Sequence, residues 1–385
     1  MIDTIVLTLP IFHFRITKSD LFQPDARGMN NPPYIAQVNG VRKCVQNPTK
    51  EDEKKGIYKP RLTYIRRWDW IKEHYSLKIE FSIPKLIFWN NFDELSDSDF
   101  PFVISKLKEV LFKMWIQVVN WKLEKAIVST IHYGKNIILD DYTSVNRVLQ
   151  SISKTNISQR FDVWESQYQN GWWLLRLHTK SFQIVFYDKI ADLKKSKHRA
   201  IEKEMRKINY QMSLFDTISK TQNKQKNQSF DVLRLEIRFM NKVKLKSVFK
   251  SNKIFFDDPF TFRDAFNMEN ARRILEYHWK IIAQELKTIE FFEMKSIDRW
   301  SMILQQPVQV TPTKALALAM LSELIGNNDY RTIRNQFEAR YNKRSLSRMY
   351  KELQAFEWIK TSFTFIPIIN KALNEYKPLQ IKEYM

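Results

Sequence analysis

The chain has 385 residues, with 63 Lys and Arg against 42 Asp and Glu and a formal net charge of +21. Its hydrophobic content of 44% can fill the cores of two or three domains and excludes a chain disordered by composition. The single cysteine, Cys44, excludes an internal disulfide framework and any cysteine-based zinc site. So large a positive charge concentrates polyanions and points to nucleic acid, although a lysine-rich proteome, a ribosomal protein or a membrane-surface protein would fit the charge alone. No apolar window is long enough to span a bilayer, and MIDTIVLTLPIFHF lacks the uninterrupted apolar stretch of a signal peptide. A soluble intracellular protein is expected.

In chain order, Ile2 to Leu9 reads as a strand of branched residues. Residues 23–55 are polar, hold Pro32-Pro33 and the run EDEKK, and read as a loop-rich excursion. RLTYIRR and SLKIEFSIPKLIF read as strands, the second bending or ending at Pro84. From Asp99 to about Ala126 apolar residues recur at spacings of three and four, which predicts a helix. A strand, AIVSTIHY, follows, then a polar stretch from Gly134 to Ser158. WWLLRLHTKSFQIVFYDKI reads as a hairpin, residues 191–218 as a charged helix and KTQNKQKNQS as a polar connection. FDVLRLEIRF alternates most cleanly of all.

Helical spacing resumes from Phe260 to Phe292. Thr311-Pro312 opens a helix that stops near Gly326, followed by two basic helices, Tyr330–Tyr341 and Ser345–Phe356, and a strand-like WIKTSFTFI. The expected fold is α+β: an antiparallel-sheet domain with flanking helices over residues 1–304, then a small C-terminal helical domain over 305–385.

Alternation assigns the polar faces of the strands. Glu80 lies opposite Ile79 and Phe81; Thr130 and His132 lie opposite Ile131 and Tyr133; Tyr187 and Lys189 share one face; so do Arg234, Glu236 and Arg238. If these strands are neighbours, Glu80, His132 and Glu236 could bind Mg2+ or Mn2+ beside Tyr187 and Lys189. A metal would polarise a phosphodiester that the tyrosine hydroxyl attacks in line. Each residue also has an ordinary reading: a solvated strand glutamate, a packing histidine, an interface tyrosine. Patterning leaves both open.

Five stretches, in order, carry a resemblance: MIDTIVLTLP, IEFSIPKLIFWNN, VSTIHYGKNI, QIVFYDK and LRLEIRF, with a weaker sixth in RTIRNQFEARYNKRSLSRMYKELQAFEWI. Together they span nearly the whole chain, which resembles the phage and plasmid replication proteins related to the filamentous-phage gene II initiator. The resemblance implies a rolling-circle replication initiator that nicks one strand of a double-stranded origin, with Tyr187 as nucleophile and Lys189 stabilising phosphate or phenolate charge. It implies a 5′-phosphotyrosine link, a free 3′-hydroxyl that primes synthesis, rejoining by the reverse reaction, and Mg2+ or Mn2+ held by Glu80 and Glu236. His132 stands where the filamentous-phage proteins have Asp, and Thr130 stands where a His-hydrophobe-His pair would begin, so the ligand set stays open. Double-stranded origin DNA, single-stranded DNA and host helicase and polymerase are the implied partners, in the cytoplasm of a bacterial host with no membrane association.

In the tail, Arg331, Arg334, Arg344, Arg348 and Lys351 crowd two short helices, with Arg340 and Lys343 between them. This suits a helix-turn-helix-like module on DNA, or equally a solvated helix face. Trp172 and Trp173 could stack on unpaired bases, or pack in a core. Two rival functions remain: a non-catalytic nucleic-acid-binding protein, and a related strand transferase for mobilisation or transposition.

Overall fold

The computed structural model describes residues 1–22, 34–38, 41–48, 52, 57–69, 72–139, 143–155, 162–167, 173–192, 231–256, 258–293, 296–304, 311–327, 330–341, 343–355 and 365–380. The strands in chain order are β1 (Ile2–Pro10), β2 (Arg15–Ile16), β3 (Tyr34–Val38), β4 (Val41–Gln46), β5 (Arg61–Asp69), β6 (Lys72–Ser82), β7 (Ile116–Gln117), β8 (Ile127–Ile138), β9 (Asp162–Gln167), β10 (Trp173–His178), β11 (Phe182–Asp188) and β12 (Val232–Phe239). The helices are α1 (Ile83–Phe88), α2 (Phe100–Lys113), α3 (Asn120–Glu124), α4 (Val145–Ser153), α5 (Lys242–Ser251), α6 (Phe262–Ala265), α7 (Met268–Glu293), α8 (Ser296–Leu304), α9 (Pro312–Asn327), α10 (Tyr330–Glu338), α11 (Lys343–Ala355) and α12 (Phe365–Glu375).

Ten strands form one sheet in the order β3-β4-β5-β6-β1-β8-β12-β11-β10-β9, and β2 pairs with β7 apart from it. Every neighbouring pair in the large sheet is antiparallel. The class is α+β, as the patterning requires: alternation puts Ile5, Leu7 and Leu9 of β1, Leu77, Ile79 and Phe81 of β6, Ile131 and Tyr133 of β8, and Leu235, Ile237 and Phe239 of β12 in the core. Each such side chain contributes about 1.5–3 kcal/mol by leaving water. Helices cover them. α7 lies against β8 and β12 with Ile274, Leu275, Trp279, Ile282 and Leu286 buried, and α4 lies against β10 and β11.

Several boundaries differ from the sequence reading. The excursion over residues 23–55 contains β3 and β4, which extend one edge of the sheet through β5. Their short mixed runs, YIAQV and VRKCVQ, carry too few alternations to stand out. The expected helix from Asp99 to Ala126 ends at Lys113, because Trp115 takes the left-handed conformation, with φ at 66°. β8 runs on to Ile138, and α4 occupies what reads as a polar stretch. Pro84 does end its strand, by sitting in the first turn of α1. The expected charged helix and polar connection lie outside the described residues beyond Asp192, as does WIKTSFTFI up to residue 364.

The C-terminal region divides differently as well. Ile303, Leu318, Leu321, Tyr330, Ile333, Leu346, Tyr350 and Leu353 form a second core shared by α8 to α11. The Phe365, Ile366, Ile369 and Leu373 side chains of α12 join the main core instead. Residues 305–385 therefore do not pack as one unit. The return is anchored on buried Glu94, whose carboxylate accepts from Lys135 Nζ, from the Asn136 N–H at 2.7 Å and from the Leu379 N–H at 3.0 Å. Arg234 Nη1 stands 3.8 Å away. Replacing Glu94 with Gln leaves buried Lys135 and Arg234 undercompensated and is expected to cost about 3–5 kcal/mol, read by urea unfolding.

Candidate active site

The polar face of the central strands carries a connected ionic cluster. On β12, Arg234, Glu236 and Arg238 project in succession; Tyr187 of β11 is in register with Arg234, and Asn136 of β8 flanks Arg234 on the other side. The Tyr187 hydroxyl donates to Glu236 Oε1 at 2.8 Å. Lys189 Nζ lies 3.5 Å from the same phenolic oxygen and 3.8 Å from Asp192 Oδ2, and its side chain is fully buried. β11 ends at Asp188, so Lys189 reaches the phenol from the turn that follows the strand.

Glu236 is held from two sides. Arg238 donates to Oε2 through Nε at 2.8 Å and Nη2 at 2.6 Å, while Arg234 Nε donates to Oε1 at 3.2 Å. Arg234 also bonds Asp3 Oδ1 at 2.9 Å and Asn136 Oδ1 at 3.1 Å. Register shifts where β1 meets β8, between Ile2 and Thr4, mark a bulge beside Asp3, the carboxylate that reaches Arg234.

Charges follow from this packing. Burial alone would raise the Glu236 carboxyl, but Arg238, Arg234 and Lys189 overcome it and hold the group far below the usual carboxylate range. Burial and then Glu236 push the Tyr187 phenol well above its ordinary value, with Arg234 opposing. Burial and then Arg234 bring the Lys189 ammonium down to about 8. The phenol is therefore neutral at rest, hydrogen-bonded to a fixed carboxylate, with cations close enough to offset negative charge that develops on its oxygen.

The proposed metal ligands do not converge. His132 sits beside the cluster, in register with Arg238 on one side and Thr4 on the other. Its Nε2 is buried and has no hydrogen-bond partner among the described residues. Burial and then Arg238 lower its pKa, so the ring is neutral. Glu80 is elsewhere: it is in register with Val6, which faces Thr130 rather than His132. It lies three strands from Glu236, at about 4.8 Å per strand, and meets Arg61 at 3.6 Å on a half-exposed surface. Among the described residues no three His, Cys, Asp or Glu side chains are grouped as a metal ion requires. With Glu80 distant and both Glu236 oxygens taken by guanidinium groups, these donors do not fit a three-ligand centre.

Alternation brought Tyr187, Lys189, Glu236 and His132 into view. It offered no role for Arg234 and Arg238, and Asp3 passed as a strand residue. The signal for Asp3 is that it is the single charged residue of IDTIVL. The predicted DNA-binding residues divide. Arg344, Arg348 and Lys351 form an exposed stripe on α11 at spacings of four and three, whereas Arg334 is half-buried, 3.9 Å from Glu338. Arg331 falls within α10, and Trp172 lies outside the described residues. Comparison with family models, with curated proteins and with solved structures finds no match.

Two consequences can be measured. A Cβ on Gly134 would meet Arg234 Nη2 at 2.5 Å and Cζ at 2.8 Å, inside a packed cluster. Gly134→Ala is expected to cost about 1–3 kcal/mol on denaturant unfolding by displacing the guanidinium. Because Lys189 titrates near 8 when folded against 10.5 ordinarily, the unfolded chain binds more protons across that window. Stability contributed by this group therefore rises with pH from about 8 to 10.5, by up to about 3 kcal/mol. The stability difference between wild type and Lys189→Met should change by that amount over the window.

Proposed function

We propose that the protein is a rolling-circle replication initiator that nicks and rejoins one DNA strand through Tyr187. The observation that carries this reading is the Tyr187 hydroxyl bonded to Glu236 Oε1 at 2.8 Å with Lys189 Nζ at 3.5 Å. The net charge of +21 and the ordered resemblance to the gene II initiators support it.

In the proposed reaction the Tyr187 oxygen attacks a backbone phosphorus, forming a phosphotyrosine ester at the 5′ side. The bond to the 3′ oxygen breaks, and that oxygen leaves as a hydroxyl once protonated. The phenolic proton leaves along the bond to Glu236 as the bond to phosphorus forms and is passed on to the departing 3′ oxygen, so Glu236 is ionised before and after; the reverse sequence reseals the strand. Lys189 and Arg238 offset charge on the phosphoryl oxygens. No step is routed through a metal ion.

Origin DNA, single-stranded DNA and host helicase and polymerase are the proposed partners, in the cytoplasm of a bacterial cell. Among the described residues no helix is long and apolar enough to cross a membrane. The α10–α11 pair is proposed as a helix-turn-helix-like contact to the duplex, through Arg344, Arg348 and Lys351, with Arg331 and Arg334 on the first helix.

The test is incubation with a supercoiled plasmid bearing the origin, with Mg2+, Mn2+ or EDTA. Wild type should form a covalent protein–DNA adduct and Tyr187→Phe none; an equal adduct from the variant overturns the assignment. Glu236→Gln should lower cleavage by about 100-fold or more while DNA binding is kept. Equal loss of both would make Glu236 a purely structural group. Because α12 belongs to the main core, truncation would confound the tail, and substitution is the cleaner probe. Arg348→Ala with Lys351→Ala should weaken duplex binding and reduce the slope of log affinity against log salt by about two.

A further inference from the structure

Far along β1 from Asp3 lies a second feature that the Tyr187 chemistry does not use. Beyond Pro10, the segment that turns into β2 meets the end of α2, β7 and the start of α3 around a cavity of about 740 Å³. Seven steps along the strand lead from Asp3 to Pro10, about 23 Å at 3.3 Å per step.

The apolar groups exposed around this cavity are mostly rings, with Val119 beside them, while Phe14, Ile116 and Val118 form its buried floor. Phe12 is 82% exposed, Phe112 62% and Trp121 54%; Phe12 and Phe112 line the cavity, and Trp121 lies 6.2 Å from the ring of His13, which also lines it. Trp115, next to lining residue Ile116, is half exposed, and its φ of 66° is a conformation that helix ends normally give to glycine. An indole held in solvent at a cost in backbone strain is hard to explain as packing. Rings such as Phe255 and Tyr341 are exposed elsewhere too, but here several exposed rings lie around one concavity.

Cations are interleaved with the rings. Lys18 Nζ stands 5.4 Å over Trp115, and Lys122 and Lys125 stand 5.5 and 5.9 Å from the Trp121 ring. Arg15 and Lys108 add to the cavity wall. Glu109, the one acid in that wall among the described residues, is already neutralised by Lys106 at 2.9 Å and Lys113 at 2.6 Å. The surface therefore combines accessible ring faces with uncompensated positive charge around a concavity. Flat π-faces take nucleobases of any sequence, and ammonium groups between them take the phosphates. A duplex hides its base faces in the stack, and an aliphatic surface would suit a lipid or an apolar helix better than this aromatic one.

We infer that this cavity is a binding site for unpaired nucleic acid, in which bases stack on Phe12, Phe112, Trp115 and Trp121 while Arg15, Lys108 and Lys122 hold the backbone. It is sequence-tolerant and independent of strand cleavage. In the setting of the proposed reaction it would hold the strand displaced from the nick.

The test uses the full chain carrying Tyr187→Phe, so that no strand is cut and the outcome does not depend on the nicking reading. Binding of a fluorescein-labelled oligothymidine of about 16 nucleotides is followed by anisotropy. Adding Phe112→Ala or Trp121→Ala should each weaken binding roughly five- to a hundredfold, with affinity for a blunt duplex unchanged. Phe12→Ala, whose ring is almost entirely in solvent, is the variant least able to disturb the fold; thermal melting verifies that each variant is folded. Unchanged oligothymidine affinity in the folded variants overturns the inference, and so does equal loss on oligothymidine and duplex. Binding of the parent to phosphatidylglycerol vesicles that is lost in the variants while oligothymidine affinity stays constant would identify a membrane contact instead, and equally overturns it.

Discussion

The guanidinium of Arg234 is the constraint on which the candidate site depends. It is almost wholly buried, yet it reaches Asp3 on β1, Asn136 on β8, Glu236 on its own strand and the edge of Glu94. Taking such a cation out of water is costly, and only several well-placed acceptors offset it. Three neighbouring strands are thereby tied through one side chain. The requirement extends to the backbone, since the strand opposite must present Gly134 so that the guanidinium has room.

The same charge arrangement decides what Glu236 can do. A buried carboxylate facing only a tyrosine would tend to protonate, becoming a weaker acceptor and a donor that competes for the phenolic oxygen. Two arginines keep it ionised, so the bond from Tyr187 persists and the hydroxyl points in one direction. The arginines also fill the coordination sphere that a metal would need. Positive charge at this face is supplied by guanidinium and ammonium groups, while His132, neutral and beside them, has a buried ring nitrogen with no hydrogen-bond partner among the described residues.

Glu94 links this face to the far end of the chain. It binds Lys135 and Asn136 on β8 and the backbone of Leu379, which follows α12. The C-terminal helix is thus part of the layer that supports the sheet, while α8 to α11 gather around their own core. Tyr350 of α11 bonds Glu285 of α7 at 2.9 Å, which joins the two cores through a single long helix. The basic stripe of α11 is presented from that second core.

Period-two alternation was enough to read the class of fold, the central strands and the polar faces bearing Tyr187, His132 and Glu236, because a strand with one buried face writes that burial directly into its residue order. Composition likewise announced the net charge. Neighbours in space are another matter. Nothing in LKIEFS distinguishes a glutamate beside Glu236 from one three strands away paired with Arg61; strand order and register alone separate them. Asp3 entered the cluster beside a bulge that breaks the period on which the reading relied. Arg234 looked like an ordinary polar-face residue until its partners converged from three strands, and the return of α12 to the main core could not be seen from local spacing. Side-chain direction is a local property and was legible; which charges meet is a property of the sheet as a whole, and only the tertiary structure decided it.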